Sequence, residues 1–355
     1  MLAKLCGACL FAFAAGCAGA AADPVADFYK GKQMRLVIHV TPGGGYDSYA
    51  RLMGKHITRH IPGNPALVAQ NMPGGGGLRA VNFIGNVAAK DGTLLSIISQ
   101  GLPLHQAMSE IEGKKDLEID LSTFNWIGNL SDSNQLLVTF GDSPVKTLDE
   151  ARKTEAIIGS TGMGSISVQL PTLMNTLVGT KFKIVYGYPG GAEINLAMER
   201  GEVHGRGANP WASYKSTTSA WVADKKLHYI VQVGLKREAE LPDVPLLTEL
   251  AANDLDRGAL DVISKVAAFG RSVATTPGVP AERVAALRKA FDATLKDPQF
   301  IAEADRAKME IGYMSGSQVE SVVKDIVKAP RPVIERLAAA MEPPKDATEI
   351  KVEKK

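Results

Sequence analysis

Runs of glycine set between a strand-like segment and a helix-like one constrain this chain more than any other feature. The first lies in TPGGGYDSYAR, residues 41–51. RLVIHV, residues 35–40, is a run of β-formers before it, and Tyr49, Leu52, Met53, His56, Ile57 and His60 recur after it at helical spacing. The arrangement repeats. ALVAQN (66–71) precedes PGGGG (73–77), helical residues 78–88 follow, and TLLSIIS (93–99) reads as a third strand. A second series comprises WIGNL, QLLVTF, and then AIIGS (156–160), which runs into TGMGS and a helix over 166–178. FKIVYGY (182–188) ends at Pro189-Gly190-Gly191, and a helix over 193–200, the strand EVHGRG and a last strand over 227–233 complete it. Strands alternating with helices predict mostly parallel sheets flanked by helices.

The two series predict two similar α/β lobes. Beyond LPDVPLL come a helix with the stripe Val284, Leu287, Phe291 and Leu295, and another over 318–327. The expected division is residues 23–126 with 237–341 for a discontinuous first lobe, 127–236 for the second, and a flexible tail over 342–355.

The glycine loops fail two nucleotide tests. A P-loop requires G-x-x-x-x-G-K-[ST], and around Gly54-Lys55 the outer positions hold Tyr49 and His56. A G-x-G-x-x-G fingerprint begun at Gly43, Gly74 or Gly162 meets Ser48, Arg79 or Ser167 where its third glycine belongs. No cofactor is therefore expected. What remains is the start of a helix, where unpaired N–H groups carry partial positive charge and glycine removes the Cβ that would block a ligand. Two such starts occur, one per lobe: PGGGYDS, and GSTGMGS at 159–165, which adds the hydroxyls of Ser160, Thr161 and Ser165. Facing each other at the carboxyl edges of their sheets, they would hold a small anion without a buried arginine. Three to five charge-assisted hydrogen bonds of about 1.5–3 kcal/mol each reach the ~8 kcal/mol of micromolar binding.

The N-terminus places the chain outside the cytoplasm. MLAKLCGACLFAFAAGCAGAAADP has one early lysine, an apolar run and small residues, the layout of a secretory signal with an A-x-A site ending at Ala22. A lipid anchor at Cys17 is the competing reading. All three cysteines, Cys6, Cys9 and Cys17, fall in this segment, so a chain cleaved there has no disulfides. A formal net charge of +2 gives no argument for nucleic acid or an anionic membrane surface.

Other chemistries were weighed against these residues. His56 and His60 are four apart, but no H-E-x-x-H pattern or third ligand accompanies them, so no metal is expected. Ser160 or Ser165 would need a base to act as a nucleophile, which keeps a secreted hydrolase as the alternative from another class. Asp47 reads as a helix cap or a ligand contact, and Trp211 as a packing residue or a pocket wall.

Taken in order, RLVIHVTPGGGYDSYARL, VAQNMPGGGG, AAKDGTLLSI, IIGSTGMGS, VYGYPGGAE with RGEVHGRG, and LPDVPLLTEL resemble the solute receptors of the tripartite tricarboxylate transporters, the Bug or TctC-like family. The resemblance runs from about residue 31 to 327. It implies a two-lobed, type II-like periplasmic binding protein, probed as a monomer, that closes on a small carboxylate and delivers it to the membrane subunits of such a transporter. It further implies ligand contacts from Pro42, Gly43, Gly44, Gly45, Tyr46 and Asp47, from Ser160, Thr161, Gly162, Met163, Gly164 and Ser165, and from Ser99 and Asn209. The chain departs from the family at Tyr46, where threonine is common, at Met163, where asparagine is frequent, and at Arg206, in a segment usually acidic or apolar. Arg206 is expected either to meet a second acidic group of the ligand or to lie at the surface or between lobes. A periplasmic sensing subunit is a further alternative.

Overall fold

The computed structural model describes residues 23–342 and 347–350. The leader reading, with its three cysteines and cleavage site, lies outside the described residues. In chain order the strands are β1 (Gln33–Ile38), β2 (Ala66–Asn71), β3 (Leu94–Ile97), β4 (Asn125–Asn129), β5 (Gln135–Phe140) and β6 (Ala156–Ser160). Then come β7 (Phe182–Tyr186), β8 (Gly205–Pro210), β9 (Leu227–Val233), β10 (Ser272–Thr275), β11 (Met314–Ser315) and β12 (Thr348–Glu349).

These strands form two six-stranded sheets, ordered β11-β4-β10-β3-β1-β2 and β12-β7-β6-β8-β5-β9. The chain leaves the first sheet after β4 and re-enters it at β10. This is the expected two-lobed α/β architecture, with one refinement: each sheet is mixed. In the first, β2-β1 and β1-β3 are parallel, whereas β10 lies antiparallel between β3 and β4. In the second, β12-β7, β7-β6 and β6-β8 are parallel and β5 is antiparallel to both β8 and β9. The burial of the strands follows from this layout. Leu36, Val37 and Ile38 of central β1 are all buried, as in a strand covered on both faces, whereas edge strand β2 buries none of its residues fully.

The helix Gly45–Ile57 buries Leu52 and Met53 against Val284, Leu287 and Phe291 of the helix Ala281–Leu295, the stripe predicted from spacing. Under the second sheet, Leu170 and Leu173 of the helix Ile166–Leu177 cluster with Ile263 and Val266 of the helix Asp254–Phe269, and with Ile334 and Leu337 of the helix Arg331–Ala340. The helix that precedes β10 thus shares its core with the second sheet, although its strand joins the first. In the tail, β12 pairs with β7, and Ile350 N–H donates to Tyr186 O at 2.8 Å. Among the described residues no helix is long and apolar enough to cross a membrane.

Candidate functional site

The first glycine loop ends β1 and opens the helix Gly45–Ile57, with Gly44 as its N-cap. Gly43 has φ +95°, which favours glycine. A Cβ on Gly45 would lie 2.9 Å from Arg271 Nη2 and collide with the Ser213 hydroxyl, and one on Gly44 would lie 3.4 Å from Gly191 N. The second loop ends β6. A Cβ on Gly162 would lie 2.5 Å from Gly76 N, and Gly164 N–H donates to Gly75 O at 3.3 Å. Nearby, Thr41 N–H donates to Pro189 O at 3.3 Å, and Thr41 Oγ1–H donates to Glu193 Oε2 at 2.8 Å. Each of these contacts joins the first-sheet side to the second. At these positions glycine is needed because backbone from the opposite side comes close.

Between the two sides lies an enclosed chamber of about 40 Å³. Of the residues anticipated from sequence, Gly44, Gly45, Tyr46, Ser99, Thr161, Ser165, Arg206 and Asn209 line it. Thr161, Gly162 and Met163 line an adjoining cavity of about 420 Å³, together with Gly74–Gly76 and Ile350. Pro42, Gly43, Asp47, Ser160 and Gly164 line neither.

Two of those five have evident structural duties. Asp47 is the third residue of its helix, not the cap. Its Oδ2 accepts from Gly43 N–H at 3.1 Å, and its Oδ1 accepts from Arg51 Nε at 2.9 Å and Asn71 Nδ2 at 2.8 Å. Burial would raise its pKa, but these bonds more than offset that and hold it below the ordinary value. Ser160 compensates for Pro171 inside the helix Ile166–Leu177. Proline has no N–H to give the carbonyl four residues back, which is that of Ser167. Ser160 Oγ–H donates to Ser167 O instead, at 2.7 Å. Thr161 N–H and Ser165 Oγ both bond Ser167 Oγ, at 3.1 and 2.9 Å, so the second loop largely satisfies itself.

The chamber's charge comes from two arginines. Arg271, just before β10, was not anticipated, and its presence corrects the expectation that no buried arginine is involved. It is 1% exposed, its guanidinium carbon lies 4.1 Å from the Tyr49 ring centroid, and its Nη2 bonds Ser213 Oγ from the second-sheet side. Its Nε and Nη1 have no hydrogen-bond partner among the described residues. Arg206, on β8, donates from Nη1 to Asn195 Oδ1 at 3.1 Å, and its Nε is buried without a partner. Arg206 therefore reaches the chamber, as do the unpartnered amide of Asn209 and the Tyr46–Gln100 pair, in which Tyr46 O–H donates to Gln100 Oε1 at 3.0 Å. Burial lowers both arginine pKa values, and Arg271 adds to the effect on Arg206. No aspartate or glutamate lines the chamber. His39, whose Nδ1 bonds Ile97 O at 3.1 Å, has its pKa lowered to about 4 by burial and is neutral at neutral pH.

Other sequence candidates are placed elsewhere. His56 and His60 pair with separate carboxylates, Glu303 and Asp297, each at 2.9 Å. Trp211 packs edge-on to Tyr229 and donates to Glu240 Oε2 at 2.7 Å, away from the chamber. A larger groove, about 920 Å³, lies among Val222, Leu295, Ile301 and Met309 and includes no glycine-loop residue. Volume alone does not mark the site, whereas unpartnered buried donors do.

A family model described as tripartite tricarboxylate transporter family receptor matches residues 50–339. The chain is 28% identical over 335 residues to a UPF0065 protein in the gbd 5′ region of Cupriavidus necator, covering 92% of this chain and 94% of that one. Its fold is similar to the periplasmic binding protein BugD, at 20% identity and a TM-score of 0.63, covering 88% of this chain and 97% of BugD. It is also similar to MatC from Rhodopseudomonas palustris with bound malate, at 20% identity and a TM-score of 0.65, covering 88% and 99%. A second R. palustris protein, solved with adipate, gives 20% identity and a TM-score of 0.66, covering 86% and 97%.

Proposed function

The chain belongs to the tripartite tricarboxylate transporter receptor family, and on that premise we propose that it captures a small carboxylate between its two sheets and hands it to the membrane subunits of such a transporter. The observation that carries this reading is a chamber lined from both sides, with no acidic residue in its lining and with buried guanidinium N–H groups that have no protein acceptor. Such donors are costly to leave unmet, and a carboxylate meets them in charge-assisted pairs. The malate and adipate bound by two similar folds are of this chemical class.

In this reading Gly44, Gly45 and Tyr46 present the first helix start, Ser99, Thr161 and Ser165 supply polar edges, and Arg206, Asn209 and Arg271 orient the anion. Contacts made to both sides at once favour the closed state. The protein works as a monomer in the periplasm, and the ligand leaves unchanged. A hydrolase is less well supported, because the Ser160 and Ser165 hydroxyls bond the Ser167 carbonyl and hydroxyl and not a histidine.

Thermal-shift and calorimetric screening of a carboxylate panel tests the proposal. A ligand at about 100 times its Kd should stabilise the fold by about 2.7 kcal/mol and be recovered intact. Absence of binding by every carboxylate, or turnover of a carboxylic ester, would count against it.

A further inference from the structure

We infer that the ligand brings two acidic groups on a short carbon chain, one for Arg271 and one for Arg206, and that closure of this chain depends on both charges. This inference rests on the receptor reading above and narrows it to compact dianions.

The two guanidiniums reach one chamber from opposite sides. Arg271 stands at the start of β10 in the first sheet, and Arg206 stands on β8 in the second. Arg271 is wedged between the Tyr49 ring and Gly45, where a Cβ would lie 2.9 Å from Nη2. Arg206 lies against Gly191, where a Cβ would be 2.5 Å from its Nη2. Both cations are thus set in recesses that only glycine leaves open, and both keep a buried Nε without a partner among the described residues.

Charge balance decides how many acidic groups the ligand needs. The chamber lining contains two arginines and no carboxylate, and Glu193, which acts on Arg206 from outside it, is itself held by Thr41. One bound carboxylate would leave a net positive charge sealed from water, which is strongly unfavourable. With no ligand, closing the cleft brings two like charges into one low-dielectric space, which favours the open state. A dianion removes both penalties together. Size sets the chain length. The chamber of about 40 Å³ has room for roughly three or four water centres, which fits a few carbon atoms between the acidic groups.

The test is calorimetry with propionate, malonate and succinate at neutral pH, with X-ray scattering to follow compaction. In the native sequence malonate or succinate should bind at least about 100-fold tighter than propionate, and only the dianions should compact the protein. Arg206→Gln should weaken the dianion by about 100-fold and leave propionate within about threefold, and Arg206→Lys should recover part of the preference for two charges. Propionate binding and compacting the native protein as well as malonate does would overturn the inference while leaving the receptor reading intact. So would equal losses for both ligands in Arg206→Gln. If no carboxylate binds, the receptor reading fails and this inference fails with it.

Discussion

The two glycine loops look alike in sequence but are built differently. On the first-sheet side, Gly45 and Tyr46 border a guanidinium whose Nε and Nη1 have no protein acceptor. On the second-sheet side, Ser160, Thr161 and Ser165 bond Ser167 and so hold their own helix start in place. One loop borders an unmet charge, whereas the other closes its hydrogen bonds internally and repairs the gap left by Pro171. Hydroxyl content is therefore a poor guide to which loop grips an anion. Substitutions on the two sides should separate affinity from stability.

The largest effect is expected where the sides meet. Gly162→Val places a branched side chain against the Gly76 backbone, so the fold should persist while ligand-induced compaction and binding are lost. Unchanged compaction in scattering would refute the close-approach account. Next, Arg271→Met removes the first-side charge and should weaken carboxylate binding by about 100-fold or more in calorimetry. Unaltered affinity would mean that this guanidinium has only a packing role.

His39 offers a pH test of the sealed interface. Its folded pKa of about 4 lies below the ordinary 6.5, so the unfolded chain takes up a proton first as pH falls. The contribution is complete above about pH 6.5 and is lost progressively as pH drops towards 4, on the order of 3 kcal/mol in all. In denaturant titrations across that window, His39→Gln should lose less stability than the native chain. The smallest effect belongs to the second loop. Ser160→Ala strands the Ser167 carbonyl and should cost about 1–3 kcal/mol of stability without altering affinity. A large affinity loss with unchanged melting would reverse the assigned roles.

Much of the fold was legible wherever the strand ends were marked by Gly, Pro or charge. ALVAQN, QLLVTF, AIIGS and residues 227–233 form strands with the bounds read from sequence. The helix Leu102–Glu112 was not legible, and its burial gives the reason. Leu102 to Ser109 are all buried, with Leu102 in one core cluster and Leu104, Ala107 and Met108 in another. A helix covered on most sides has no polar stripe to set a period. The antiparallel placement of β10 was equally hidden, because strand direction leaves little trace in a four-residue run. Several site residues came from the glycine loops and the departures at Tyr46 and Arg206. Arg271 was missed because nothing in FGRSVA distinguishes a cation aimed at a chamber from one aimed at solvent.

The short strand at the end of the chain has a consequence of its own. An uncovered sheet margin offers a row of free amides and carbonyls to any extended polypeptide nearby. Here β12 occupies part of that margin on β7, beside Val185 and Tyr186. The protein's own terminus thereby works as a bung against fibre-like self-association, a safeguard of particular use to a molecule that must open and shut repeatedly.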